Sequence, residues 1–368
     1  MRGRTTRGLA AAALAAALGT TTPPSAADAR PGGPLTERVS TASDGAQLER
    51  ASQHAAISDD GRYVAFSTKT SVPEGFPGCE RQTYVCLAVK DRDTGRLTRI
   101  VNGGGFDWGP PVLSGDGRYV GYTEGTKGSS ARVDDLATGR STPVASAARI
   151  QDITSDGRYV LYTSGDDRFV TDRYVYVRDM ATGTAERVEG DATTTRFGAA
   201  SLSADGRFVA YQKKGSGPEG DDVLVEDRAT GTTVRADEGL GDSDGQFVRI
   251  SGDGRRVLFA AAGRTYAYDV RGGTARQVAD TPARSASRDA RFAVLPQEGT
   301  GGERLVLLDV RTGRRTALAP GETRAGAVTV TSGGRAAVFT STASDLVPGD
   351  TNGTADVFVR RLRWRPIR

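Results

Sequence analysis

One phrase constrains this chain more than any other feature, because it recurs. Ser-x-Asp-Gly-Arg, followed by an aromatic and a β-branched residue, appears in ISDDGRYVAFS from Ile57, PVLSGDGRYVGYT from Pro111 and DITSDGRYVLYTS from Asp152. SLSADGRFVAYQ from Ser201 and RISGDGRRVLFA from Arg249 repeat it, and SASRDARFAVL from Ser285 and VTSGGRAAVFT from Val330 are worn copies. A repeated supersecondary unit cannot bury its apolar face alone, so the copies must stack on one another.

Each full copy carries four apolar stretches. The first ends at the phrase (HAAIS, PPVLS, AASLS, FVRIS) and the second follows it, as in RYVAFS. A third reads RYVYVRD, DVLVED or RLVLLD, and a fourth follows Thr-Gly, as in TGTAERV. Period-two alternation with β-branched and aromatic residues between turn signals predicts short antiparallel strands, and no segment of useful length has helical period. Asp60-Gly61 suits a type I turn with a glycine bulge, and Thr94-Gly95, Thr138-Gly139, Thr182-Gly183, Thr230-Gly231 and Thr312-Gly313 turn the third strand into the fourth. The phrase is thus a hairpin signal rather than a catalytic motif.

Seven copies of four antiparallel strands predict an all-β fold, a seven-bladed β-propeller. The last copy supplies a third strand, ADVFVRRL from Ala355, with no Thr-Gly after it, while LTERVST from Leu35 matches TAERVEG from Thr184. The N-terminal strand is therefore expected to complete the last blade, close the ring and cover two sheet edges. The expected organisation is a secretory signal peptide over 1–29, a short linker over 30–34, the propeller over 35–363 and a basic tail over 364–368.

The leader reading rests on three arginines in MRGRTTRG, the short apolar run LAAAALAAALG and the small-x-small sequence Ala27-Asp28-Ala29. Its removal leaves a formal charge of about +2, too weak to predict a nucleic-acid partner. The apolar stretch is too short for a membrane anchor, so a secreted or cell-envelope monomer with no membrane span is expected. Cys79 and Cys86 are the only cysteines, and in an exported chain this close pair is expected to form one local disulfide.

The Ser-x-Asp-Gly-Arg phrase, followed by Val-x-Asp-x-x-Thr-Gly wording, resembles the WD-like repeats of the TolB propeller family. It is especially similar to secreted actinobacterial propellers, whose wording STASDLVPGDTNGTADVFVR from Ser341 to Arg360 carries here. The resemblance runs from Leu35 to about Arg363 and implies a propeller fold. TolB's separate N-terminal α/β domain has no counterpart in this sequence, so the resemblance gives no support to a role in the Tol–Pal system. The sialidase-type Asp box is also absent, because no Trp closes the phrase.

The short repeated turns are expected on one face, and the long, varied connections on the other. Binding residues favour variable loops on a rigid scaffold, so a ligand site is expected over the channel on the loop-rich face. His54, Asp107, Trp108, Arg196, Phe197 and Gln246, near the starts of the innermost strands, lie closest to it. Trp108 suits a binding anchor, with a plug over the blade edge as the competing reading. Asp350, Asn352 and Asp356, with the Thr354 carbonyl, approach the alternation of a calcium loop, and structural calcium competes there with an ordinary Asp-Thr-Asn-Gly turn.

A non-catalytic exported scaffold that binds a protein or a cell-wall glycan is the leading functional expectation. The competitor is a carboxylate-dependent carbohydrate-active enzyme with its site at the channel mouth. His54 is the only histidine, which excludes a metal centre built on several histidines. No serine sits in a nucleophile-elbow sequence for it to activate.

Overall fold

The computed structural model describes residues 35–69, 85–100, 109–125, 129–165, 172–189, 196–215, 220–240, 244–299, 302–318 and 328–362. The described elements are 28 strands in seven four-stranded antiparallel sheets. Each of six blades uses four consecutive strands; blade 1 is Ser52–Ile57, Tyr63–Thr68, Cys86–Asp91 and Leu97–Arg99, paired in that order. Blade 7 takes three strands from the C-terminal region and its outer strand, Thr36–Arg38, from the N-terminal region. Thr36, Glu37 and Arg38 register against Arg360, Val359 and Phe358, so the ring closes as the sequence predicts. The first strands of adjacent blades touch all the way round and line a central channel.

The repeated phrase explains how one blade sits on the next. In blade 1 the Ser58 hydroxyl donates to Asp60 (2.5 Å) and accepts from the Tyr63 N–H, while Asp60 accepts from the Arg62 N–H. The Arg62 guanidinium lies 4.8 Å over the Tyr63 ring and makes a two-pronged ion pair with Asp91 at the end of the third strand. Asp91 in turn accepts the N–H of Asp93 and so caps the Thr-Gly turn. Arg118–Asp135, Arg158–Asp179, Arg207–Asp227 and Arg291–Asp309 repeat the ion pair, each arginine over its own aromatic neighbour.

That ring then packs on the glycine of the following blade. A Cβ at Gly157 would come within 2.1 Å of the Tyr119 ring, and Gly157 has φ +73°, so both the turn and the packing demand glycine. The same approach joins Tyr63 to Gly117, Tyr159 to Gly206, Phe208 to Gly254 and Phe292 to Gly334. Between the sheets lie apolar clusters, such as Leu161, Val175 and Val177 of blade 3 with Phe197, Leu202 and Tyr211 of blade 4. These interleaved clusters form the core, because each sheet buries both faces against its neighbours.

Candidate functional site

Both ends of the channel are built on the first strands, and the turns that follow those strands form one of the two ends. At the turn end, the residue between Ser and Asp of each phrase faces its counterparts in the ring: the Asp59 N–H donates to Gly115, the Ala204 N–H to Gly252 and the Gly252 N–H to Arg288, each to the backbone oxygen. These positions hold Asp59, Gly115, Ser155, Ala204, Gly252, Arg288 and Ser332. Arg288 alone among them is long, and its guanidinium crosses the channel from blade 6. Its Nη1 donates to the Ile153 carbonyl (2.7 Å) in blade 3 and its Nη2 to the Leu113 carbonyl (2.6 Å) in blade 2. Its Nε lies 3.7 Å from Asp59 in blade 1, and Asp59 also accepts from the Ser332 hydroxyl (2.8 Å) in blade 7.

A second arginine joins the network. Arg249 of blade 5 reaches Asp152 of blade 3 at 2.9 Å, and Arg288 approaches the same carboxylate at 3.6 Å. Asp152, 2 % exposed, also accepts the N–H groups of Ile153 and, in the next blade, of Leu202. Burial pushes the Arg249 guanidinium down from its ordinary value, and the Asp152 charge opposes that. The equivalent residue of blade 4, Ser201, accepts the Ile250 N–H of blade 5, so this position stitches blades together as well as carrying charge. The turn end is thus closed by a hydrogen-bonded ion network drawn from all seven blades.

At the loop-rich end the expected residues separate. Arg196 and Gln246 are exposed at the starts of the first strands Arg196–Leu202 and Gln246–Ile250. Arg196 donates to both oxygens of Asp172 (2.8 and 3.0 Å). Phe197 does not belong to the channel face: it is 4 % exposed and packs edge-on against Tyr211, ring centroids 5.6 Å apart. A bulge between Phe197 and Ala200 shifts the strand's register, and Phe197 turns into the core. His54 is half-buried with φ +55°, inside a bulge between Gln53 and Ala56. Asp107 and Trp108 lie outside the described residues, as does Cys79; Cys86 is buried at the start of its strand.

The candidate calcium residues are gathered at the ring closure. Gln47 donates through Nε2 to Asp350 (2.9 Å) and Asp356 (2.8 Å), and Asn352 donates to Asp356 (3.1 Å). Ser40 donates to the other Asp356 oxygen (2.5 Å), Arg38 lies 3.6 Å from Asp350, and Asn352 Oδ1 accepts the Thr354 N–H. Burial pushes the fully enclosed Asp356 carboxyl up, with Asp350 adding to it. In this arrangement amide and hydroxyl donors occupy the carboxylate oxygens, and a calcium ion would require Gln47 to turn its oxygen inward. Among the described residues no group of three or more His, Cys, Asp or Glu could hold a metal ion, and no helix is long and apolar enough to cross a membrane.

Known structures share the architecture. An oligogalacturonate lyase solved with manganese superposes with a TM-score of 0.64 at 14% identity, over 89% of this chain and 93% of that one. The β-propeller domain of the Trilobed protease from Pyrococcus furiosus, which has an open velcro topology, gives 0.60 at 16% identity over 84% and 93%. TolB from Acinetobacter baumannii gives 0.47 at 15% identity over 82% and 80%, too low to carry an argument. No family profile matches the sequence. No curated protein matches it either. These likenesses show a seven-bladed propeller fold and nothing finer, since one propeller scaffold serves many chemistries.

Proposed function

We infer that this protein is an exported, non-catalytic scaffold that holds a protein or a cell-wall glycan at the loop-rich mouth of its channel. The observation that carries the reading is the closure of the opposite mouth by Arg288, Arg249, Asp152 and Asp59. Asp152 is engaged by guanidinium and backbone donors, and Asp59 by the Ser332 hydroxyl beside Arg288. They are therefore poorly placed for acid–base work, which needs a carboxyl free to exchange its proton at the substrate. Asp350 and Asp356, a second close pair, are enclosed in the ring closure. The loop-rich end presents exposed Arg196 and Gln246 at strand starts, and the sequence expectation adds Asp107 and Trp108, which lie outside the described residues. A lyase reading built on a metal held by several imidazoles lacks those donors in a chain with one histidine.

The test is a crosslinked pull-down from the producing cell's envelope and medium. The protein is compared with a Trp108→Ala, Arg196→Ala variant of unchanged melting temperature. A partner retained by the first and lost by the second supports the reading. Equal capture by both, or capture by neither, contradicts it.

A further inference from the structure

The groove between blades 5 and 6 departs from the repeat in a way that builds a pocket. In grooves between other blades an aromatic ring and its arginine–aspartate pair fill the space; those between blades 1 and 2 and between blades 4 and 5 enclose about 350 and 370 Å³. Blade 5 carries Arg256 where its neighbours carry Tyr or Phe, and blade 6 carries Ala290 (φ +50°) where they carry glycine. The two changes fit each other: with no ring to receive, a methyl group is tolerated, and the Arg256 guanidinium instead donates to the Ala290 carbonyl (3.4 Å). Blade 7 also lacks the ring, but its Ala336 shares a core cluster with Val39 and Leu48 of the N-terminal segment. Nothing comparable fills the blade 5–6 groove among the described residues; it encloses about 650 Å³ and runs inward to Ser251 and Gly252.

The ion pair of the repeat is missing there too. Arg255, 63% exposed, comes no nearer than 3.9 Å to Asp253, and among the described residues no ion pair joins it to Asp269. Arg255, Arg256 and Arg276 line the pocket together with Asp253, Asp269 and Asp289, and Arg276 also donates to the Val310 carbonyl (3.2 Å). Asp269 and Asp289 already accept backbone N–H groups of their own turns, leaving further lone pairs as acceptors. A bare inorganic anion would meet these carboxylates, whereas a ligand with one carboxylate and several hydroxyls offers acceptors to the arginines and donors to the aspartates. We propose that this pocket binds a carboxylate-bearing saccharide, its carboxylate on the arginines and its hydroxyls donating to the aspartates. The volume lies within the range of roughly 300–1,000 Å³ typical of small-molecule sites. This site is distinct from the channel mouth and does not depend on what binds there.

The experiment titrates the folded protein with glucuronate, galacturonate, glucose and inorganic phosphate by calorimetry. It repeats the titrations with Arg256→Tyr, Ala290→Gly, a variant that restores the repeat and is expected to melt no lower than the parent, and with Arg255→Gln. The expected result is saturable binding of at least one uronate, weakened about tenfold or more in both variants, with glucose and phosphate weaker than the uronate. No uronate binding, undiminished binding in the restored variant, or equal binding of glucose or phosphate overturns the proposal.

Discussion

Arg288 occupies a position where the other blades carry Asp, Gly, Ser or Ala, so it alone among the seven can reach across the axis. Its bonds to the Leu113 and Ile153 carbonyls tie blade 6 to blades 2 and 3 across the ring rather than around it. Truncation would leave those carbonyls and Asp59 short of a buried donor. Arg288→Ala should therefore cost about 2–4 kcal/mol in urea unfolding, with Arg288→Lys recovering part of it. An unchanged midpoint would show the network to be incidental. Glu226 provides a second residue-scale test. Burial, with Glu189 and Glu186 nearby, pushes its carboxyl up to about 7. A carboxyl raised on folding holds its proton more tightly in the native state. Its stabilising contribution is thus full below about pH 4.5 and is lost as pH rises through about 7. Glu226→Gln should raise the melting temperature at pH 8 and leave it nearly unchanged at pH 4. The gain at pH 8, discounted for solvent screening, is on the order of 2 kcal/mol in stability. A variant that melts like the parent at pH 8 would contradict this.

At the scale of the element, one hairpin serves as turn, cap and inter-blade socket. The two kinds of repeated glycine should respond differently to alanine. Gly139 has φ +71° with nothing within 4 Å of the place an added methyl group would occupy, so Gly139→Ala should cost only the backbone strain, about 1 kcal/mol. Gly157→Ala adds a collision with the Tyr119 ring and should cost several times as much. Equal losses in thermal unfolding would refute the socket. The hairpins are legible in the sequence because Asp-Gly and Thr-Gly are local chemistry read within a few residues. The channel network is not. Asp59, Asp152, Arg249 and Arg288 come from four blades, and each looks like an ordinary turn or strand residue until the ring brings it to the axis. A signal is present all the same: among seven copies of the phrase, one alone places a large cation between its first and third residues. Phe197 reads as a channel residue in the sequence because the bulge between Phe197 and Ala200 has no local signature, and a shift of one residue reverses the side chains on either side of it. Reading the bulge positions Gln151 and Val248, which re-aim Asp152 and Arg249, requires knowing the pairing register.

For the whole molecule, closure rests on a short strand and a clasp. Thr36–Arg38 makes the ladder, and Ser40 and Gln47 hold Asp356 and Asp350 beyond it. Lys90 extends the seam by donating to the carbonyls of Thr41 and Ala42. Deleting residues 35–42 would expose a full edge on blade 7 and remove the Ser40 hydroxyl from the buried Asp356, so the truncated chain should melt lower and aggregate on heating. A truncated chain that melted like the parent would mean that the ring is held by blade packing alone. The two ends of the channel also differ among the described residues: ions lock the turn end, and exposed Arg196 and Gln246 stand at strand starts of the other. That inequality is the basis for assigning a binding face. The most direct measurement is in-cell photocrosslinking from a probe placed singly at Gln246, at the loop-rich end, and at Ala204, at the turn end. The account predicts crosslinked partners from position 246 and none from position 204; crosslinks from 204, or from neither, would contradict it.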